Sequence, residues 1–299
     1  MLSALSLIAI VFVAGLVAQR LGSLPVDAAE TLNRFVIQIC VPAMVLVLVP
    51  KLHLSAELAV LAITPWVLML ITIPMVHGVS EALGFPDGVK AALLLAVPLG
   101  NTSFVGYPLI EALLGESEVS LAVVYDQLGS FVMLSTYGLL VVARCSGTAA
   151  PTPGEMAIRI LKFPPFVALL LALVPITHPA WLDEALGRVG AALVPIAMFA
   201  VGLRTKLGWP SQRGALVVGL LLKMVVLPTI ALGIARIAGA DPRIVRVSVL
   251  ESAMPPMITA CALAASAGFA PELAASLAAY GLVISLVSIP ITAFLLGVG

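Results

Sequence analysis

Asp126 and Glu251 are carboxylates set deep inside apolar runs of the chain, and Lys223 is a cation in the same situation. An ionised side chain at that depth costs about 2.5–3.5 kcal/mol, so each needs a reason to be there. Glu251 opens the stretch Glu251-Ser-Ala-Met-Pro-Pro-Met257, and a second irregular stretch, Ala96-Val-Pro-Leu-Gly-Asn-Thr-Ser-Phe-Val-Gly-Tyr-Pro108, lies in the first half of the chain. Proline removes a backbone donor and its ring clashes with the carbonyl four residues back. Pro98 therefore interrupts one helix, and Pro255 with Pro256 leaves the carbonyls of Glu251 and Ser252 without donors. Pro108 suits the first turn of a new half-helix. Backbone of this kind is tolerated at bilayer depth only where protein buries it or a wet cavity meets it.

The chemistry of two such breaks is electrostatic. Half-helix N-termini after Gly106 and after Pro256 offer unpaired N–H groups and partial positive charge, which suits a carboxylate. Freed carbonyls suit a cation. The candidate substrate-binding residues are accordingly Asn101, Thr102, Gly106, Pro255, Pro256 and Met257, joined by Gln38, a polar residue of the second span that either faces the substrate path or cross-links helices. Asp126 sits in Val124-Tyr-Asp-Gln-Leu-Gly-Ser130, with Ser130 one turn further on the same face. Asp126 and Glu251, with Asn101, Ser130 and freed carbonyls, are candidates to hold Na⁺ or to carry a proton, either of which would couple transport to an ion gradient. Lys223 either neutralises one carboxylate or snorkels to an interface.

The elements that position these residues follow from composition. The chain has 299 residues, 62% of them hydrophobic and only 10% charged, and its mean hydropathy is +1.19. A soluble domain is about 45–50% apolar and about 25% charged, so this chain belongs in a bilayer. Apolar runs predict ten spans, near 2–18, 33–50, 58–82, 88–114, 119–143, 157–177, 186–206, 212–238, 243–268 and 271–297. Fifteen basic against fifteen acidic side chains leave no net charge, which removes the electrostatic case for nucleic acid. Cys40, Cys145 and Cys261 are scattered without CxxC spacing, and His53, His77 and His178 share no metal-ligand spacing, so neither disulfides nor a metal site are expected. Trp66, Trp181 and Trp209 read as interfacial anchors. An enzyme is not expected: Tyr125-Asp126 resembles half of an aspartyl protease pair, but Gly-x-Gly-Asp, HExxH and GxSxG do not occur.

Sliding the halves over one another aligns Arg34 with Arg188, Met44 with Met198, Pro74 with Pro228, Asp87 with Asp241 and Glu118 with Glu272, each 154 residues apart. The two proline breaks fall at matching places under the same shift. The organisation expected is a first five-helix repeat over 1–147, a hinge loop over 148–155 and a second repeat over 156–299. Five spans per half is an odd number, so the second repeat is inverted, and broken helices at equivalent positions of inverted repeats point to a transport site. Basic residues on connections favour the side opposite the N-terminus, which places both termini outside the cell membrane.

Pro98-Leu-Gly-Asn-Thr-Ser-Phe-Val-Gly-Tyr-Pro108, Tyr125-Asp-Gln-Leu-Gly-Ser130, Ser252-Ala-Met-Pro-Pro256 and Gly268-Phe-Ala-Pro-Glu-Leu-Ala274 together resemble bacterial members of the auxin efflux carrier family, with the resemblance running through essentially the whole chain. The long cytoplasmic loop of plant PIN carriers is absent here. The resemblance implies an all-α membrane fold similar to the bile acid sodium symporters. Spans 1, 2, 6 and 7 would form a scaffold, spans 3–5 and 8–10 a moving transport domain, and spans 4 and 9 would cross at the substrate, flanked by Asn101 and Pro256. It implies elevator-type secondary transport of small organic anions, auxin in plants and dicarboxylates such as malate or malonate in bacteria, by a homodimer in the cell's inner (plasma) membrane. Bile acid symporters place a sodium-binding glutamate and asparagine where Glu251 and Asn101 stand, whereas PIN carriers run without sodium, so the coupling ion stays open. No other cofactor is implied. The alternatives are a passive anion channel and a sodium-coupled carrier of larger organic anions.

Overall fold

The computed structural model describes residues 2–25, 27–52, 58–174, 179–205 and 208–298, excluding the side chains of residues 2–5. His53, His178 and Lys206 lie outside the described residues. The described chain is all-helical. Its first half contains α1 (Leu2–Leu21), α2 (Ala28–Lys51), α3 (Leu58–Ala82), α4 (Asp87–Ala96), α5 (Thr102–Leu114) and α6 (Glu116–Ser146). The second half contains α7 (Pro153–Leu161), α8 (Pro164–Ala172), α9 (Ala180–Arg204), α10 (Arg213–Ile237), α11 (Pro242–Ala253), α12 (Ile258–Ser266) and α13 (Pro271–Leu295). Six of these, α2, α3, α6, α9, α10 and α13, are each long and apolar enough to cross a membrane.

Both breaks are present: α4 ends at Ala96 before α5 begins at Thr102, and α11 ends at Ala253 before α12 begins at Ile258. The first new helix thus starts at Thr102 and not after Gly106 as expected, and Pro108 lies within it. One further break was not anticipated. The single run expected over 157–177 is divided into α7 and α8, because Phe163 precedes Pro164 and is driven out of the helical region to φ −77°, ψ 118°. Thr152 opens α7 with a capping box, its hydroxyl accepting from the Glu155 N–H while the Glu155 carboxylate accepts from the Thr152 N–H. The Thr152 N–H and the Thr152 hydroxyl, both donating to the Glu155 carboxylate, hold it below the usual carboxylate range.

Several helices widen locally into a π turn. Three of these turns, at Val36–Cys40, Thr102–Gly106 and Leu222–Val226, each end two residues before a proline, namely Pro42, Pro108 and Pro228. A wider turn moves the carbonyl four residues back away from the proline ring, so the helix continues instead of breaking. Another, at Asp126–Ser130, has no proline of its own. There α3 presses against it: a Cβ on Gly129 would overlap the Pro65 ring, and the Trp66 indole N–H donates to the Leu128 carbonyl at 2.9 Å. Trp66 thus pins two helices together, while Trp181 and Trp209 are exposed.

Close packing follows small residues. Gly15 of α1 and Gly202 of α9 face each other so tightly that a Cβ on Gly202 would lie 3.0 Å from the Gly15 Cα and overlap the Phe12 carbonyl. Small residues at helix crossings permit this approach. α8 and α9 also pack on α2, whereas α11 packs on α10, α6 and α3, and α12 on α13 and α4.

Candidate substrate and ion site

The two breaks run past one another antiparallel and are hydrogen-bonded together. The Asn101 N–H donates to the Pro255 carbonyl at 2.8 Å, and the Met257 N–H donates to the Leu99 carbonyl at 2.8 Å. Gly100 and Pro256 face each other between these bonds as an isolated β-bridge. Buried backbone groups must be paired, and each break supplies the donors and acceptors that the other has lost. The pair also needs room. A Cβ on Gly281 of α13 would come within 2.7 Å of the Pro256 Cδ and 3.1 Å of the Pro255 Cβ.

Each break feeds a new helix whose first amides are open. The Asn101 carbonyl accepts from the Gly106 N–H at 3.1 Å and the Val105 N–H at 3.3 Å, and the Met257 carbonyl accepts from the Cys261 N–H at 3.0 Å. The N–H groups of Thr102, Ser103 and Phe104 have no acceptor among the described residues. The side chain of Asn101, which precedes them, is 1% exposed, with neither its oxygen nor its nitrogen hydrogen-bonded among the described residues. A buried amide with both ends unpaired is costly, and marks a place where a polar partner belongs.

Asp126 behaves differently. Its carboxylate accepts from the Thr102 hydroxyl, from the Tyr107 hydroxyl at 2.7 Å and from the Gln127 amide at 2.7 Å. The two hydroxyls fasten α5 to α6, and the Gln127 amide, from α6 itself, completes three donors that leave this carboxylate largely occupied. Glu251, fully buried, has neither oxygen hydrogen-bonded among the described residues. It rests against Gly106, where a Cβ would stand 2.5 Å and 2.8 Å from its two oxygens. Lys223, 2% exposed, donates to the Ser252 carbonyl at 3.0 Å.

A cavity of about 190 Å³ lies beside the crossing. Its lining includes Asn101, Ser103, Met257 and Thr259 from the crossing and the helices it feeds, Asp126 and Gln127 from α6, and Ile37 and Val41 of α2 with Phe163. Phe163 stacks on Phe131 with ring centroids 3.8 Å apart. Arg159 also borders the cavity. Gln38 is exposed on α2 and Ser130 is buried on α6, and neither lines this cavity. Ser103, Gln127, Thr259, Phe163 and Arg159 were not singled out from sequence. Gln127 and Ser103 adjoin residues that were, but Arg159 of α7 and Phe163 of the break between α7 and α8 lie far away in the chain and carried no local signal.

Among known proteins, the family model described as membrane transport protein matches residues 1–293. The chain belongs to this family, the auxin efflux carriers. It is 26% identical over 288 residues to an uncharacterized transporter of Methanothermobacter thermautotrophicus, covering 93% of this chain and 92% of that one. It is also 26% identical over 211 residues to an uncharacterized transporter of Methanocaldococcus jannaschii, covering 66% of each. The family and its helices make this a multi-pass membrane transporter.

Proposed function

We propose that this transporter is a secondary carrier of small organic anions, auxin-like acids or dicarboxylates such as malate or malonate, working by elevator-type alternating access. The observation that carries the reading is the hydrogen-bonded crossing itself, with open helix amides and the unpaired Asn101 amide beside a cavity of molecular size. A carboxylate placed there meets N–H donors and the positive end of a helix. Asn101 and Met257 would bind it from the cavity wall, while Thr102, Gly106, Pro255 and Pro256, which do not line the cavity, would hold the crossing in shape behind them. Ten spans in two inverted repeats, joined through residues 148–155, sit in the plasma membrane with both termini outside, as a homodimer.

In this reading α1, α2, α7, α8 and α9 are the scaffold and α3–α6 with α10–α13 move. The mutual packing of α1 with α9 and of α2 with α8 and α9 supports the division, as does a cavity walled by both groups. Asp126 and Glu251 serve ion coupling, Asp126 by holding α5 to α6 and Glu251 as the carboxylate whose oxygens accept no hydrogen bond among the described residues. Lys223 is the nearby countercharge.

The test is counterflow in proteoliposomes. Labelled malonate, malate and indole-3-acetate are each offered to vesicles loaded with the unlabelled acid. Saturable accumulation that Asn101→Ala weakens through a raised KM supports the carrier. Conductance far above carrier turnover, or no counterflow with any organic anion, rejects it.

A further inference from the structure

The Ser252 carbonyl would ordinarily accept from the N–H of residue 256, but that residue is Pro256 and has none. The Lys223 ammonium takes its place, donating to this oxygen at 3.0 Å from the π turn of α10. The other break comes equally close: a Cβ on Gly100 would stand 2.9 Å from the Lys223 Nζ and 3.4 Å from its Cε. A lysine side chain therefore touches both breaks at their crossing, and it is buried there.

The charges around it are few. Asp126 is engaged by three donors, and Glu251 has both oxygens unpaired. A sodium ion at this crossing, as the bile acid symporter comparison implies, needs a cage of free oxygens with surplus negative charge. Glu251 and the Asn101 side-chain oxygen meet that description. The Ser252 carbonyl does not, because the ammonium already occupies it, and a second cation beside that ammonium would meet like-charge repulsion in a medium of low dielectric. The residues do not fit a sodium site.

We infer that the Lys223 ammonium is the resident cation of the crossing. It supplies to Glu251 and to the proline-freed carbonyl the positive charge that a bound sodium ion would otherwise bring. The carrier consequently has no sodium requirement, and the position accepts sodium only when the lysine is removed. This inference rests on the carrier reading, but its test does not use transport.

Purified full-length protein is heated in sodium chloride and in equimolar choline chloride. The parent is expected to unfold at the same temperature in both. Lys223→Gln is expected to gain a sodium-specific rise of about 2–4 °C, the size expected when one weak site fills, and Lys223→Gln with Glu251→Gln is expected to lose it. A sodium-specific rise in the parent, or a folded Lys223→Gln protein indifferent to sodium, overturns the inference. Should Lys223→Gln not fold, radioactive sodium binding to the parent and to Lys223→Arg decides. No saturable binding to either supports a resident ammonium, and saturable binding to the parent refutes it. Failure of counterflow with every organic anion would instead sink the carrier reading and leave these sodium results standing.

Discussion

The backbone N–H of Asn101 donates to the carbonyl of Pro255 at 2.8 Å, across 154 residues of chain. That bond, with its partner from Met257 to Leu99, makes the two helix breaks one structural unit. Substitutions at either break are therefore felt at the other, and the residues packed behind the crossing matter as much as those facing the cavity.

Gly106 is one of these. Its missing Cβ leaves the space that the Glu251 carboxylate fills, with oxygens 2.5 Å and 2.8 Å from where that carbon would be. Gly106→Ala should cost about 1–3 kcal/mol of overpacking and reduce counterflow several-fold, whereas Gly233→Ala, which meets nothing within 4 Å, should change neither expression nor transport. Parent-like transport by Gly106→Ala would show that Glu251 has room to move away.

Asp126 anchors α5 to α6 through Thr102 and Tyr107, and its α6 neighbour Gln127 adds a third hydrogen bond. Hydrogen bonds to a charged group are each worth about 1.5–3 kcal/mol. In thermal unfolding, Asp126→Asn should lower the midpoint more than Tyr107→Phe or Thr102→Val, since it disturbs all three bonds and each of the others removes one. An Asp126→Asn protein as stable as the parent would contradict this fastening role.

The contact of α1 with α9 depends on two glycines. Gly202→Leu would drive a side chain into the Phe12 carbonyl and the Gly15 Cα, and should lower the unfolding midpoint by several degrees, at a cost of about 1–3 kcal/mol. Gly187→Ala on the same helix meets nothing within 4 Å and serves as control. Equal midpoints for the two would mean the helices separate without cost.

Thr259 and Met257 border the cavity, and Cys145 is exposed while Cys40 and Cys261 are buried. In a Cys145→Ala background, Thr259→Cys and Met257→Cys should react with a small membrane-impermeant thiol reagent, and a transported anion should slow the reaction. Labelling that no organic anion changes would place the cavity outside the transport path.

The residues of this chain determined, without any coordinates, that it lives in a bilayer, that it belongs with the auxin efflux carriers, and that helices fail near Pro98 and at Pro255-Pro256. Those properties are local: composition sets partition into lipid, and a proline without an N–H acts on the turn it occupies. The split at Phe163-Pro164 was legible by the same rule, from the pair of prolines that follows Phe163, yet hydropathy alone carried one span across it. What tertiary structure decided is which freed group meets which. Asp126 and Glu251 look alike in sequence, but one is saturated by three donors and the other has none among the described residues, because α5 and α6 bring hydroxyls and an amide to the first while the second rests against the bare Gly106 backbone. Gln38 turns outward while Ile37 and Val41 line the cavity, since helix rotation against α8 and α9 sets that face. Lys223 reaches the Ser252 carbonyl across 29 residues. Pairings of this kind are long-range choices among many buried partners, made by how helices stack, and no local pattern encodes them.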